Sequence, residues 1–165
     1  MKQSETITQA DISVKMVLDR WNASALNANT LLDSLSDETL MKEIAPGKNR
    51  GIYLLGHLIA VHDDMLILLD MGEKLYPELN EPFIKYADKA STEIPTVSEL
   101  RLYLTKQNEI MKQKFEAFTT DDWFKKHTAV SAEDFVNEPH RNKLNIIITR
   151  TSHLQYHLGQ LRLLK

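Results

Sequence analysis

Residues 51–61 have the sequence Gly51-Ile52-Tyr53-Leu54-Leu55-Gly56-His57-Leu58-Ile59-Ala60-Val61. This apolar stretch follows a turn-forming cluster at residues 45–49, Ala-Pro-Gly-Lys-Asn, and we expect it to form a helix that runs to about Met71, where Gly72 can end it. A charged or unpaired polar ring would be costly to bury in such a helix. The stretch therefore predicts a core helix in which one histidine, His57, needs a partner.

Three other segments repeat apolar residues at helical spacing. The first runs from about Asp11 to Leu35, and the last runs from about Lys143 to Leu163. Between them, residues 96–99 (Thr-Val-Ser-Glu) match a capping box, which predicts a helix that begins there and extends to about Phe118. Four helices of about 20 residues each are typical of a helical bundle.

The segments between these helices are long. Three prolines, Pro77, Pro82 and Pro95, interrupt residues 73–95, so we expect a crossover there with room for a short helical turn. Residues 119–139 show no regular spacing and are expected to be irregular. We therefore predict an all-α fold, a four-helix bundle with long crossover connections.

The composition supports one helical domain. A chain of 165 residues and 19.0 kDa fits a single domain over residues 1–165, and hydrophobic and charged fractions of 42% and 26% are ordinary for a globular protein. Only five glycines and five prolines argue against a turn-rich all-β architecture. The chain contains no cysteine, so it offers no disulfide and no thiolate ligand, and any thiol chemistry requires an external thiol.

The charge pattern bears on partners and location. The net charge of −3 gives no electrostatic reason to expect a nucleic acid partner. Residues 139–165 contain no Asp or Glu, so the last helix is locally basic, with the cations Arg141, Lys143, Arg150, Arg162 and Lys165. The first residues lack the basic-then-apolar order of a signal peptide, and we find no run of about 18 apolar residues that would span a bilayer. We therefore expect a cytoplasmic protein without a membrane partner.

Two histidines stand four positions apart in the last helix, within Thr151-Ser152-His153-Leu154-Gln155-Tyr156-His157-Leu158-Gly159-Gln160. At about 100° and 1.5 Å per residue, His153 and His157 project from adjacent turns of one face, an arrangement that can chelate a metal ion. A chelate needs at least one more ligand, and His57 in its apolar helix is the natural third partner. Three histidines on two helices predict a metal site.

Simpler interpretations stay open from spacing alone. A His-x-x-x-His pair is often just two surface histidines of a helix, and a lone histidine such as His57 is often a hydrogen-bonded core residue. The neighbouring residues favour a cleft location for His153 and His157. Leucines flank the two histidines, Gly159 has no side chain beside them, and Gln160 lies on the same face as both rings. A metal site accounts for all three histidines together.

The remaining candidates are weaker. His62 lies five positions after His57, about 140° around the helix, so we exclude it as a ligand. His127 and His140 fall in the irregular segment and are expected to be solvated loop residues. Asp64 lies near the face of His57 and is either a surface carboxylate or a group that orients a ligand histidine or a water. The chain lacks the Glu-x-x-His pairs of di-iron bundles and the His-Glu-x-x-His motif of zincins.

The chain resembles the DinB-like family of bacterial four-helix bundles, which is grouped with mycothiol-dependent maleylpyruvate isomerases and bacillithiol transferases. The resemblance runs almost end to end and rests on residues 46–49 (Pro-Gly-Lys-Asn), residues 54–58 (Leu-Leu-Gly-His-Leu) and the closing pattern His-x-x-x-His-x-Gly-Gln at residues 153–160. It implies a bundle that often forms a homodimer. It also implies a divalent ion, usually nickel or zinc, with the ligands His57, His153 and His157. No motif for contacting a substrate carries over, so the resemblance leaves the reaction open.

The expected chemistry follows from this ligand set. Three neutral imidazoles leave a divalent ion with its full charge, which favours an anion, and the catalytic nucleophile would be a metal-bound water or an external thiolate from a low-molecular-weight thiol. Catalytic metal sites typically have three protein ligands and one open position, whereas structural sites do not keep a position open. We therefore expect a metal-dependent enzyme, a thiol transferase or a hydrolase, that acts on a small electrophilic molecule. The alternative is a non-catalytic bundle whose metal is structural or binds a small anion.

Overall fold

The structure, a computed structural model, describes residues 6–165. The described residues contain α-helices and no β-strand, which confirms the predicted all-α class. The helices are α1 (Gln9–Asp33), α2 (Asp37–Leu40), α3 (Gly51–Leu68), α4 (Val97–Glu116), α5 (Thr120–Phe124), α6 (Ala132–Asn137) and α7 (Lys143–Leu161). The prediction that the first residues are not a signal peptide falls mainly on residues 1–5, which lie outside the described residues.

Four long helices, α1, α3, α4 and α7, make up the bundle. Helix α1 packs along α7, and α3 packs against both α4 and α7. Helix α4 contacts the end of α1, where the Arg101 guanidinium donates to the carbonyl oxygens of Leu32 at 2.7 Å and Leu35 at 2.6 Å. A hydrophobic core contains residues from all four helices. The predicted four-helix bundle with crossover connections is therefore confirmed.

Side-chain caps set where the long helices begin. The Thr8 hydroxyl accepts from the Asp11 amide at 3.1 Å, and the Thr8 amide donates to the Asp11 carboxylate at 2.8 Å. This capping box starts α1 at Gln9, slightly before the predicted start. The capping box predicted at Thr96 is confirmed: its hydroxyl accepts from the Glu99 amide at 3.2 Å, and its amide donates to the Glu99 carboxylate at 2.7 Å.

The prediction of irregular structure over residues 119–139 is wrong. This segment contains α5 and α6, and a further short helix, α2, lies in the connector after α1. Each begins at a hydroxyl cap, Thr119, Ser131 or Ser36, whose oxygen accepts from the backbone amide three residues later. Helices this short have too few positions to show an apolar period, so the spacing of apolar residues does not indicate them.

The crossover between α3 and α4 lies across α3. It contains a 3₁₀ turn (Pro77–Leu79) and a π-helical turn (Glu81–Lys85). The sequence predicted a crossover with room for one short helical turn. We call residues 77–88 the strap. The strap packs on α3 through both turns, and the Phe83 ring is fully buried. It therefore covers the helix that carries His57.

Polar contacts fasten the end of the strap to the beginning of α3. The Asp88 carboxylate accepts from the Arg50 amide and from the Arg50 guanidinium, each at 2.7 Å, and its side chain is only 6% exposed. The Tyr53 hydroxyl donates to the Tyr86 carbonyl oxygen at 2.8 Å. A charge-assisted, forked pair at this degree of burial fixes geometry more firmly than a surface ion pair would.

Helix α3 is the most apolar of the long helices. Its 18 residues have a mean hydropathy of 1.4, so by length and composition alone it could cross a membrane, contrary to the expectation that no such run exists. In the bundle, 67% of this helix is buried by protein. A core helix of a globular domain has this character.

Candidate metal centre

The bundle brings His57 of α3 together with His153 and His157 of α7. Their Nε2 atoms converge: His57 Nε2 lies 3.2 Å from His153 Nε2, and His157 Nε2 lies 3.0 Å from the same atom. The ligand atoms of the three residues all lie within 4.8 Å of one another. The predicted three-histidine group is thus formed in the structure and is compatible with a metal ion.

Hydrogen bonds on the far side of two rings determine which nitrogen is free. His57 Nδ1 lies 2.8 Å from the Phe83 carbonyl oxygen, and His157 Nδ1 lies 2.7 Å from the Gln160 side-chain oxygen. Both oxygens only accept, so each Nδ1 must donate and each Nε2 carries a lone pair. This arrangement, in which the outer nitrogen of a ligand histidine donates to a carbonyl, is typical of metal sites.

The Nε2 contacts fit a cation better than hydrogen bonds among the histidines. His153 Nε2 faces two lone pairs, on His57 and His157, and a neutral His153 has at most one proton to place between them. Three nitrogens at about 2.0–2.1 Å from one ion are separated by roughly 3.0–3.4 Å, and the separations of His153 Nε2 from His57 Nε2 (3.2 Å) and from His157 Nε2 (3.0 Å) lie in this range. Within residues 6–165, no Asp or Glu joins the group as a further ligand.

Burial and neighbouring cations favour the neutral imidazole that binds metals. Burial, together with the neighbouring His157, His57 and Arg150, lowers the pKa of His153 to about 4. Burial also lowers the pKa of His157, although its hydrogen bond with Gln160 opposes this shift. A neutral ligand set binds a divalent ion without first releasing protons at neutral pH.

The sequence that contains these three histidines matches a known protein family. A family model described as the DinB superfamily matches residues 20–161. The chain belongs to the DinB superfamily. The match covers α3, α7 and all three histidines, so the predicted resemblance to this family is confirmed at the level of the superfamily. A comparison with curated proteins found no significant match.

The strap contributes to this DinB-superfamily site in a way that sequence reasoning missed. The Phe83 carbonyl that orients His57 lies in the π-helical turn, 26 positions along the chain. A carbonyl is present at every residue, so no side-chain pattern marks this one. The Tyr53 ring stacks on the His57 ring at 6.2 Å between centroids and 11° between planes, and Tyr53 also holds the strap. The environment of His57 is therefore built largely by the crossover.

The structure places the other candidate residues as follows. His62 lies outside the group, as predicted, and is buried against Trp21 with 5.0 Å between ring centroids. His140 is exposed, as predicted. The prediction for His127 is wrong, since it is buried where residues 126–130 fold back beside the start of α7. The Asp64 carboxylate pairs with Lys74 and makes no hydrogen bond to a histidine of the group, so its interpretation as a surface carboxylate is favoured over a group that orients a ligand.

The metal-free protein is expected to lose stability as the pH falls below about 6.5. Burial, together with the nearby His153 and Arg150, lowers the pKa of His62 to about 3, and that of His153 lies at about 4. Unfolding restores ordinary values of about 6.5, so between these limits the unfolded state binds more protons and is favoured as acid is added. Above about 6.5 both states are neutral, and these residues add no pH dependence.

Urea denaturation in the presence of a chelator, repeated from pH 7.5 to 4.5, measures this effect. His62 alone is expected to contribute a slope of up to roughly 1 kcal/mol per pH unit below pH 6. His62→Leu should reduce the slope, whereas His140→Leu, at an exposed position, should leave it as in the wild type. An unchanged slope in His62→Leu would contradict the assignment.

Proposed function

We propose that this protein is a metal-dependent enzyme that transfers an external thiol to a small electrophilic molecule. The observation that carries the proposal is the convergence of three imidazole nitrogens, His57, His153 and His157, without a fourth protein ligand among the described residues. Structural zinc sites are usually closed by four protein ligands, whereas catalytic sites use three and keep a position for an exchangeable molecule. The cluster therefore has the number of protein ligands that is typical of catalytic sites.

The exposure of the site supports the same proposal. His57 and His153 are partly exposed and His157 is buried, so the group lies between α3 and α7 and is partly accessible to solvent. When bound, a divalent ion would supply a Lewis acid that lowers the pKa of a coordinated thiol or water. The chain has no cysteine of its own, so the thiol must come from solution. Nitrogen-only ligands suit nickel or zinc, the ions that we expect.

The protein's own residues would act by positioning. Phe83 and Gln160 hold His57 and His157 in the tautomer with free Nε2, and the low pKa of His153 keeps that ring ready to bind at neutral pH. Tyr53 covers one face of His57. On α7, the ring centroid of Tyr156 lies 5.1 Å from that of His157. Two aromatic rings beside an exposed site can exclude part of the solvent from a small apolar substrate.

The proposal is tested with protein loaded with nickel or zinc and assayed against epoxides, alkyl halides and activated esters, with and without 2-mercaptoethanol. We expect product formation that needs both metal and thiol. His157→Ala should reduce the rate at least about tenfold, because a two-histidine site is a weak ligand set. Loss of the reaction on chelation, and its return on adding metal, complete the test.

Two other outcomes have a clear meaning. Metal-dependent turnover without thiol, with a rate that rises through about pH 7, would identify a hydrolase instead. Absence of metal-dependent turnover in both conditions would leave the non-catalytic alternative, in which the ion joins α3 to α7 or binds a small anion. The metal content of the protein is measured alongside, so a failure to load metal is not mistaken for a lack of activity.

We also propose that the protein forms a homodimer through α1 and α7. Apolar side chains on these helices remain exposed, namely Met16 at 67%, Ile148 at 46% and Ile12 at 41%, and Met16 and Ile148 border one shallow groove. A helical bundle with an exposed apolar face tends to bury it against a second copy. Light scattering at micromolar concentration should give the dimer mass. The variant Met16→Glu/Ile148→Glu should be a monomer, and Leu102→Glu, at an exposed position of α4, should remain a dimer.

A further inference from the structure

Arg150 is a cation beside the metal centre that forms no hydrogen bond or ion pair with a side chain among residues 6–165. It lies on α7, three positions before His153, and its side chain is partly buried. Its Nε atom is buried without a hydrogen-bond acceptor, and Arg150 forms no ion pair with any carboxylate among residues 6–165. Arginine is rarely buried unless paired, because its five donors need acceptors. Such a residue next to a candidate active site suggests an anionic ligand.

Helix geometry places Arg150 on the face of α7 that carries His153 and His157. On α7, Arg150 lies about 60° from His153 and about 20° from His157, so all three project from one face. On α3, Asp64 follows His57 by seven positions and shares its face. Asp64 raises the pKa of Arg150 through its charge, which agrees with this placement on facing helices. Arg150 therefore lies about one helical turn from His153 and about two turns from His157 on the same face of α7.

The surrounding charges leave this position positive. Asp64 is already paired with Lys74, so two cations share one carboxylate. The neighbouring His62 and His153 are imidazoles, which carry either no charge or a positive one, so neither can serve as a counter-ion to Arg150. A bound divalent ion would add further positive charge. An anion bound beside Arg150 would thus have cations on two sides and no competing carboxylate besides Asp64 among the described residues.

We infer that Arg150 is the binding site for a carboxylate group of the substrate or of the external thiol, whose other end reaches the three-histidine centre. The inference rests on the proposed function, and it narrows the substrate class to small carboxylic acids. A guanidinium offers the planar, forked donors that a carboxylate matches. The Cα atoms of Arg150 and His153 are about 4.5 Å apart along the helix axis, so a ligand that contacts both side chains can be short, with two or three carbon atoms between its ends. A thiol carboxylate of that length is therefore the appropriate probe.

The test compares 3-mercaptopropionate with its neutral amide, 3-mercaptopropionamide, as ligands of the cobalt-loaded protein. The dissociation constant of each is measured from the sulfur-to-cobalt charge-transfer absorption. We expect the acid to bind about tenfold more tightly than the amide in the wild type, and the ratio to fall to about one in Arg150→Gln. Arg150→Lys should keep part of the preference. Arg162→Gln, which removes an exposed cation just after α7, should keep the wild-type ratio.

Equal binding of acid and amide by the wild type, or a tenfold preference that survives in Arg150→Gln, would overturn the inference while leaving the proposed function intact. If neither thiol binds cobalt, the proposal of a thiol transferase fails. The carboxylate site is then decided by titrating zinc-loaded protein with propionate and following the Arg150 Nε–H signal by NMR, assigned through its loss in Arg150→Gln. A saturable shift of this signal supports the site, and an unmoved signal contradicts it.

Discussion

His153→Ala is expected to lower the metal content of the purified protein at least about tenfold. His153 Nε2 lies next to the Nε2 atoms of both other histidines, at 3.2 Å and 3.0 Å, so its removal leaves two imidazoles on different helices. No carboxylate among the described residues stands ready to replace it. Two neutral nitrogens are a weak ligand set for a divalent ion. His57→Ala and His157→Ala should have effects of the same size.

Elemental analysis of each protein, after loading with zinc or nickel and removal of excess ion, gives the measurement. His140→Ala is the matched control, because this histidine is exposed and lies outside the group. His62 is a poor control, since it is buried in the core and its replacement by Ala would also create a cavity. Near-stoichiometric metal in His153→Ala would show that the three-histidine group is not the binding site.

The parts of the site that could be predicted from sequence are those fixed by local helix geometry. His153 and His157 project together because they are four residues apart on one helix, and no tertiary information is needed to see this. His57 required one more step, namely that a single imidazole in an apolar core stretch needs a partner. The packing of α3 on α7 then brings the three rings together as predicted. The exclusion of His62 followed from the same rotation rule.

The parts that could not be predicted depend on contacts between distant segments. The strap lies on α3 because of the Arg50–Asp88 pair and the burial of Phe83, contacts that join residues more than 25 positions apart. A backbone carbonyl that orients a histidine has no sequence signature. His127 was predicted to be solvated because it falls in a segment without regular apolar spacing. It is buried because its segment returns to the start of α7, where the Lys143 amide donates to the Lys125 carbonyl oxygen at 2.9 Å.

Gly56→Ala is expected to weaken metal binding without touching a ligand. A methyl group at residue 56 would lie 2.5 Å from Cδ1 and from Cζ of the Phe83 ring, far inside normal contact. Phe83 is fully buried, so its ring has no free space into which to move. The strap must shift, and the Phe83 carbonyl that orients His57 shifts with it. Loss of such an outer partner typically lowers metal affinity by about 10- to 100-fold.

Competition with a chelator of known affinity measures the binding, and urea denaturation of the metal-free protein measures the stability. Overpacking of this kind should destabilise the fold by about 1–3 kcal/mol, despite the better helix propensity of Ala. Gly159→Ala is the matched control. It lies on α7 two positions after His157, a methyl group there meets no atom within 4 Å, and the change should stabilise the protein by up to about 1 kcal/mol with little effect on metal affinity.

Asp88→Asn separates the positioning of His57 from a general loss of stability. It weakens the ion pair with Arg50 at the end of the strap but leaves the core contact of Phe83 and Gly56 unchanged. If the strap holds the Phe83 carbonyl on His57, metal affinity should fall by about tenfold in this variant while the helical content is retained. Wild-type affinity in both Asp88→Asn and Gly56→Ala would mean that His57 is oriented by its own helix. In that case the crossover would be only a connection between α3 and α4, and the tautomer of His57 would be fixed by the ion itself.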